Sequence, residues 1–535
     1  MSGIEHKMSG EEKKLILASS LGTIFEWYDF YLYGYLAVVI AKHYFSNLDP
    51  QFAFILALLS FACGFLFRPV GAIIFGHLGD LLGRKSIFLL TLVLMGFATF
   101  CVGLLPGYQQ IGIAAPILLV TLRIVQGIAM GGEYGGAIVY VAEFAPQEHR
   151  ASYTSWIQIA PCVGYFFSIT SILVFQTIFG EKAFEAWAWR LPFLISMIYL
   201  IFSIFLRVKM QESRAFQQMK LNGGLSPSPL KETFLLWKNF KWVLVSLFSG
   251  ILGQTVMIGM SNLYLLYFLT QILKVDSLTA NICLSIGLLF YLFFILFFAK
   301  LSDRIGRRPL IVTGCFLAMI SIYPVYLGMS RVVNPDLVNA NSHYPITLWA
   351  NRDTCHIQYK IQEDSKSLSS CDHAKQALIA SGVGYRHHHL QNLDQVYIQI
   401  GDEKFQFISQ EDLQNQLLKK GYPLAANGLH IQYTPLLALI IYLFMITAMI
   451  LGPLGCFLLE LFPTRIRYTG MSFPYHFGNG LFGGFLPAIC FSLVAYTGNI
   501  FSGLWYGIIL AAIAFIVGYR YIPETKNRDI HSQDL

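Results

Sequence analysis

Apolar runs of about 20 residues, the length that crosses a bilayer as helix, recur along the whole chain. They fall at 15–41, 51–76, 86–106, 112–143, 151–179, 190–207, 241–270, 279–299, 310–329, 434–459, 470–496 and 500–521. Most are apolar on every face, without the polar stripe of a helix that lies on a water-soluble core. Twelve membrane helices are predicted. Two longer polar breaks interrupt them. The first, 208–240, carries Gly223, Gly224, Pro227 and Pro229 and divides the helices six and six. The second, 331–433, lies between the ninth and tenth runs. The expected fold class is an all-α membrane protein of two six-helix bundles with a small α/β insert. Residues 1–207 form the first bundle, 208–240 a cytoplasmic linker, 241–330 with 434–535 the second bundle, and 331–433 an external cap.

The insert has its own pattern. PITLWA, CHIQYKI, VYIQI and FQFI read as strands, the last two flanking a turn at Gly401-Asp402, and Ser409-Gln410-Glu411-Asp412 opens a short helix closed by Gly421. Cys355 and Cys371 are the insert's two cysteines, and an oxidising exterior would favour their pairing. The other seven cysteines are scattered singly through apolar stretches, with no metal-ligand spacing. His387, His388 and His389 are adjacent and read better as an exposed polar turn than as a metal site.

Composition narrows the function classes. With 55% hydrophobic and only 13% charged residues over 535 positions, the chain is unlike a secreted enzyme, a nucleic-acid binder or a single-anchor receptor. Its net charge of +7 is distributed by topology. Lys13, Lys14, Arg84, Lys85, Arg150, Arg207, Arg304, Arg307, Arg308, Arg465, Arg467 and Arg520 fall on one side, against Lys42, Lys182, Arg190 and Lys274 on the other. The positive-inside rule puts the first side, with both termini, in the cytoplasm. A polar, charged start with Glu11, Glu12, Lys13 and Lys14 leads into the first run, which is too long for the apolar core of a cleavable leader and carries acidic residues, so it is expected to stay in the mature protein. No nucleophile–base set or phosphate loop is evident, so no enzyme is expected.

One sentence is written twice. Gly76-His77-Leu78-Gly79-Asp80-Leu81-Leu82-Gly83-Arg84-Lys85 follows the second run, and Ala299-Lys300-Leu301-Ser302-Asp303-Arg304-Ile305-Gly306-Arg307-Arg308 follows the eighth. Glu143-Phe144-Ala145-Pro146 with Arg150 is answered by Glu460-Leu461-Phe462-Pro463 with Arg465 and Arg467. Matching signatures at matching loops are the mark of an internal duplication. On these residues the chain resembles the major facilitator superfamily, whose cytoplasmic loop has the form G-x-L-x-D-x-x-G-R-K/R. Gly22-Thr23-Ile24-Phe25-Glu26-Trp27-Tyr28-Asp29-Phe30, Phe67-Arg68-Pro69-Val70-Gly71, Arg123-Ile124-Val125-Gln126-Gly127 and Gly131-Gly132-Glu133-Tyr134-Gly135-Gly136 are similar to its metabolite:proton symporters. That family carries proline and betaine, α-ketoglutarate, citrate and shikimate. The likeness leaves out the insert.

The resemblance implies a cytoplasmic gate that forms when the carrier faces outward and breaks when it faces inward. Its expected parts are Asp80, Arg84, Glu143, Arg150, Asp303, Arg307, Glu460 and Arg465. Each aspartate is placed to meet the start of a helix in the opposite bundle, while Arg84 and Arg307 reach acids such as Glu143 and Glu460.

An ionised side chain at mid-bilayer is costly, so those present are functional candidates. Glu26, Asp29, Arg68, Arg123 and Glu133 all belong to the first bundle. Glu26, Asp29 and Tyr33 share a face of the first helix, and Arg123, Gln126, Met130, Glu133 and Tyr134 a stripe of the fourth. The expected substrate and proton-coupling set is Glu26, Tyr28, Asp29, Tyr33, Arg68, Arg123, Gln126, Glu133, Gln158, Gln254 and Asn262. Glu26 or Asp29 against Arg123 either couples protons to an arriving anion or is a permanent bridge between helices; Arg68 either binds an anion or clamps helices. The aromatic first helix would suit a quaternary ammonium group or simply packs.

The expected function is proton-driven uptake of a small organic acid or zwitterion by alternating access, with no metal or other cofactor beyond the proton gradient. Its partners are a small carboxylate or zwitterion, protons and the lipid bilayer, with no nucleic acid, and the expected working form is a monomer in a bacterial inner membrane. Two alternatives stay open: a proton-antiport exporter, against which Ala160-Pro161-Cys162-Val163-Gly164-Tyr165 counts, and a non-transporting sensor that reads ligands with the cap.

Overall fold

A chain in hydrocarbon must satisfy its backbone hydrogen bonds internally, and helices do so within one segment. The computed structural model describes residues 10–48, 50–208, 212, 214–351, 369–389 and 395–530. Among them eleven helices are long and apolar enough to cross a membrane: Leu59–Leu82, Arg84–Leu104, Ala114–Phe144, Gln147–Phe179, Ala188–Val208, Trp237–Ile272, Ser277–Ile305, Arg307–Val333, Tyr433–Glu460, Thr464–Val494 and Leu504–Tyr521. Gly10–Tyr35, a helix that holds Glu26 and Asp29, precedes them as the first and completes twelve. The protein is an integral membrane protein of helical architecture. Ordinals below count these twelve.

The helices of each half meet where side chains are small. An added Cβ on Gly71 would stand 1.9 Å from the Ile128 carbonyl oxygen, and one on Gly131 2.2 Å from that of Arg68. The second and fourth helices therefore cross almost backbone to backbone, as small residues allow in membranes. The hydrogen-bonding of the second helix is interrupted at the same place: Pro50–Leu66 ends, Phe67 intervenes, and Arg68–Leu82 has Pro69, which has no amide to donate, in its first turn. The Arg68 backbone lies directly against the fourth helix.

The segment read as a linker contains two short helices, Arg214–Leu221 and Pro229–Phe234. The insert is an α/β unit. Its four-stranded sheet runs in the order β2-β1-β3-β4, with β1 Ile346–Ala350, β2 Arg386–His389, β3 Tyr397–Ile400 and β4 Glu403–Gln406. β1 pairs parallel with β2 and antiparallel with β3, and β3–β4 is the hairpin expected around Gly401-Asp402. The final helix, Gln410–Lys419, is capped by the Ser409 hydroxyl, which accepts from the Asp412 amide. Two helices went unread, Pro335–His343 and Ser370–Ala380. The histidine run is β2 rather than a turn, and its His388 ring stacks on Trp349 at 4.1 Å. CHIQYKI lies outside the described residues, as does Cys355. Cys371 is disulfide-bonded, and the other seven cysteines are free.

The cap is tied to the second half by its backbone. The Tyr385 amide donates to the Gly498 carbonyl at 2.8 Å and the Ala426 amide to that of Lys274 at 2.9 Å. Lys274 Nζ donates to the Ala380 carbonyl at 2.5 Å, and Asn334 Nδ2 to that of Leu273 at 3.0 Å.

Candidate functional site

The duplicated loops close one end of the molecule in matching fashion. Gly83 and Gly306 adopt φ of +113° and +105°, a region that favours glycine; this is what the motif's second glycine supplies. Asp80 accepts from the amides of Tyr468 and Thr469 at 3.2 and 2.9 Å and from Thr469 Oγ1 at 2.8 Å. Asp303 accepts from the amides of Ala151 and Ser152 at 3.0 and 2.9 Å and from Ser152 Oγ at 2.7 Å. Each carboxylate caps the free amides at the start of a helix in the other half, where the helix dipole favours negative charge.

Beside these caps the halves exchange ion pairs. Arg150 meets Glu460 at 3.0 Å, and Arg467 meets Glu143 at 2.9 Å, with all four side chains buried. Glu460 also holds Arg307 at 3.2 Å and accepts from Thr525 at 2.6 Å. Two expectations are corrected. Glu143 has its ion pair with Arg467, while Arg84 sits 3.5 Å from Asp80 and donates to the Thr464 carbonyl at 2.6 Å. Arg465 turns to Glu232 of the linker at 2.5 Å, off the cross-half layer. The interval from Glu143 to Arg150 equals that from Glu460 to Arg467; that register was the available signal for Arg467 over Arg465.

Deeper in the first half, among the described residues, the charges sort into two ion pairs and two leftovers without one; Asp29 Oδ1 and Arg123 Nε and Nη2 of the first pair have no hydrogen-bond partner. Asp29 receives Arg123 at 3.1 Å, and the Arg123 guanidinium lies 3.8 Å from the Tyr33 ring centroid. Glu133 receives Arg207 at 2.6 Å and Thr91 Oγ1 at 3.2 Å. Arg207, read from sequence as one more cytoplasmic cation, is fully buried; its guanidinium lies over the Phe88 ring at 3.4 Å and donates to the Phe88 carbonyl. The only signal for it was Glu133, a buried acid that needs a base.

The leftovers are Glu26 and Arg68. Both are buried, neither has an ion pair among the described residues, and Glu26 Oε2, Arg68 Nε and Arg68 Nη2 have no hydrogen-bond partner. Arg68 is caged by rings, with the centroids of Phe65, Phe30 and Trp27 at 4.1, 5.1 and 5.6 Å. It is within electrostatic reach of Glu26 first, then, across the divide, of Tyr475 in the second half, and of Tyr31. Tyr475 stacks on Tyr134 at 3.7 Å, and Tyr134 accepts from Gln158 at 2.6 Å. His476, also buried, follows Tyr475 with both ring nitrogens unpartnered. Arg68, Tyr134, Gln158, Tyr475 and His476 therefore form one polar patch where the halves meet.

Other expected members lie apart from it. Tyr28 donates to the Pro192 carbonyl at 2.8 Å inside the first half. Gln126 donates to Thr99 at 2.8 Å. Asn262 bonds the Ile258 carbonyl of its own helix, and Gln254 faces Asn479 at 3.3 Å. The stripe on the fourth helix divides, because Glu133 faces the bundle interior while Tyr134 faces the second half. Among the described residues no group of three or more His, Cys, Asp or Glu is placed to hold a metal ion.

Twelve membrane helices in two halves, joined by paired carboxylate-to-helix-start contacts, are the architecture of the major facilitator carriers. The chain belongs to the Sugar (and other) transporter family, which matches residues 15–228 and 423–535. It is 36% identical to the proline/betaine transporter of Salmonella typhimurium over 328 residues, 59% of this chain and 65%, just under two thirds, of that one. It is 35% identical to the shikimate transporter of Escherichia coli K12 over 321 residues, 59% of this chain and 72% of that one. These relatives are named as transporters, not enzymes. A structure of the proton:xylose symporter XylE bound to 6-bromo-6-deoxy-D-glucose superposes with a TM-score of 0.63 at 16% identity, covering 97% of this chain and 98% of that one, which shows a shared fold.

Proposed function

We propose that the protein is a proton-coupled secondary transporter that takes up a small carboxylate or zwitterion by alternating access, as a monomer in a bacterial inner membrane with both termini cytoplasmic. The observation that carries this reading is Arg68: a buried guanidinium with no carboxylate at ion-pair distance among the described residues, at the seam between two halves that are closed against each other at the loop end. An unpaired cation there is costly, and a substrate carboxylate would offset the cost with a bidentate, charge-assisted contact. Tyr475 and His476 of the second half would touch the same substrate, so its arrival would favour closure of the halves around it. The gate contacts of Asp80 and Asp303 would then open the opposite side. The names of the relatives support a carboxylate-bearing solute, since proline, betaine and shikimate all carry that group. Thermal stabilisation of the purified protein by proline, glycine betaine and shikimate, followed by uptake of any stabilising solute into proteoliposomes, tests it. Accumulation that follows an inward proton gradient is expected; outward-directed exchange against protons or absence of any transport contradicts the reading.

A further inference from the structure

Resting on that reading, we propose that Glu26, rather than Asp29, carries the coupled proton. Among the described residues, three carboxylates are buried in the membrane part of the first half away from the loop end: Glu26, Asp29 and Glu133. Asp29 is neutralised by Arg123 at 3.1 Å and Glu133 by Arg207 at 2.6 Å. Glu26 alone of the three has no arginine within ion-pair distance; an oxygen without a hydrogen-bond partner is common to Glu26 and Asp29. A carboxylate already matched by a cation gains little from a proton, whereas an unmatched one in a dry site sheds its desolvation cost by taking one.

The surroundings fit a proton site. Gly22, one turn before Glu26, lets the Arg207–Glu133 pair lie directly against the first helix, since a Cβ there would stand 1.7 Å from Arg207 Nη2 and 2.7 Å from Glu133 Oε1. Glu26 and Glu133 border a cavity of about 20 Å³ together with Thr99 and Ser196, room for about one water, which needs roughly 10–15 Å³. The charged and titratable groups acting on Glu26 are Glu133 from the fourth helix, Arg207 from the sixth, Arg68 from the second and Tyr475 from the eleventh. Arg68 is the other charge of the first half without an ion pair, and Glu26 and Arg68 interact with each other. That link ties the proton to the substrate: a carboxylate bound at Arg68 engages this cation and leaves Glu26 to be neutralised by a proton. The step forms an O–H bond on Glu26 with a proton from external water and breaks it toward cytoplasmic water; no electrons move.

The test needs no substrate. The infrared C=O stretch of protonated carboxyl groups, recorded on purified full-length protein over a pH series, is expected to contain a component at neutral pH that disappears in Glu26→Gln and persists in Asp29→Asn. Should Glu26→Gln fail to fold, Glu26→Asp is expected to keep the component at a shifted frequency. A component abolished by Asp29→Asn and retained in Glu26→Gln, or none in the wild type at neutral pH, overturns the proposal. Either result leaves the transport reading to be decided by the uptake assay, in which shikimate and glycine betaine serve as probes.

Discussion

Asp80 and Thr469 are joined twice across the two halves, through the Thr469 amide at 2.9 Å and its hydroxyl at 2.8 Å, both to one carboxylate oxygen. Asp303 and Ser152 repeat the arrangement on the other side of the pseudo-symmetric divide. These are charge-assisted bonds, worth about 1.5–3 kcal/mol each. Asp80→Asn keeps the shape and removes the charge, so it is expected to move the conformational equilibrium toward opening at this end by about tenfold or more. Spin-label distances between the ends of the second and eleventh helices check this; an unchanged distribution would show that the gate is held elsewhere.

Glu460 is the convergence point of the neighbouring layer, with Arg150, Arg307 and Thr525 all bonded to it. Glu460→Gln leaves the buried Arg150 without its counter-ion, which costs about 3–5 kcal/mol, while Arg307 keeps Asp303 at 3.0 Å. A clear fall in the melting temperature of the detergent-solubilised protein is expected. Restoring neutrality with Arg150→Met in the same chain should recover part of it.

Gly498 adopts φ +71°, and a Cβ added there would stand 2.3 Å from the Tyr385 carbonyl oxygen. Gly498→Ala is therefore expected to loosen the cap where the Tyr385 amide bonds Gly498. Hydrogen exchange at that amide should accelerate while the membrane helices keep their protection. Equal acceleration throughout the second half would mean that the cap is a structural part of the bundle.

The Cys371 disulfide secures the cap chain in the same region. Cys371→Ser is expected to cost about 2–4 kcal/mol of cap stability, read as faster exchange in the buried strand residues Leu348 and Ile398.

The spans, the halves, the gate motif and the hairpin of the cap were legible in the sequence because each rests on local pattern: runs of apolar residues, glycines at fixed offsets, a capping serine. What was not legible depends on pairing at a distance. Arg207 looks like any cytoplasmic arginine until the sixth helix brings it against Glu133. Arg465 and Arg467 are separated only by the pitch of the turn they share, which aims one at the linker and the other at Glu143. Glu26 and Asp29 share a face of one helix, yet only Asp29 meets an arginine. The histidine strand was missed because a polar run with no alternation gains its place from pairing with β1.

The account stands on Arg68 as the anchor of a substrate carboxylate. Its most direct measurement is gradient-driven uptake of proline, glycine betaine and shikimate into proteoliposomes by wild type and Arg68→Gln, with correct folding of the variant confirmed by its melting curve. The expected result is that the wild type accumulates at least one of the three and that Arg68→Gln loses at least tenfold of that uptake, about 1.4 kcal/mol or more of binding. Accumulation by Arg68→Gln equal to the wild type would contradict it.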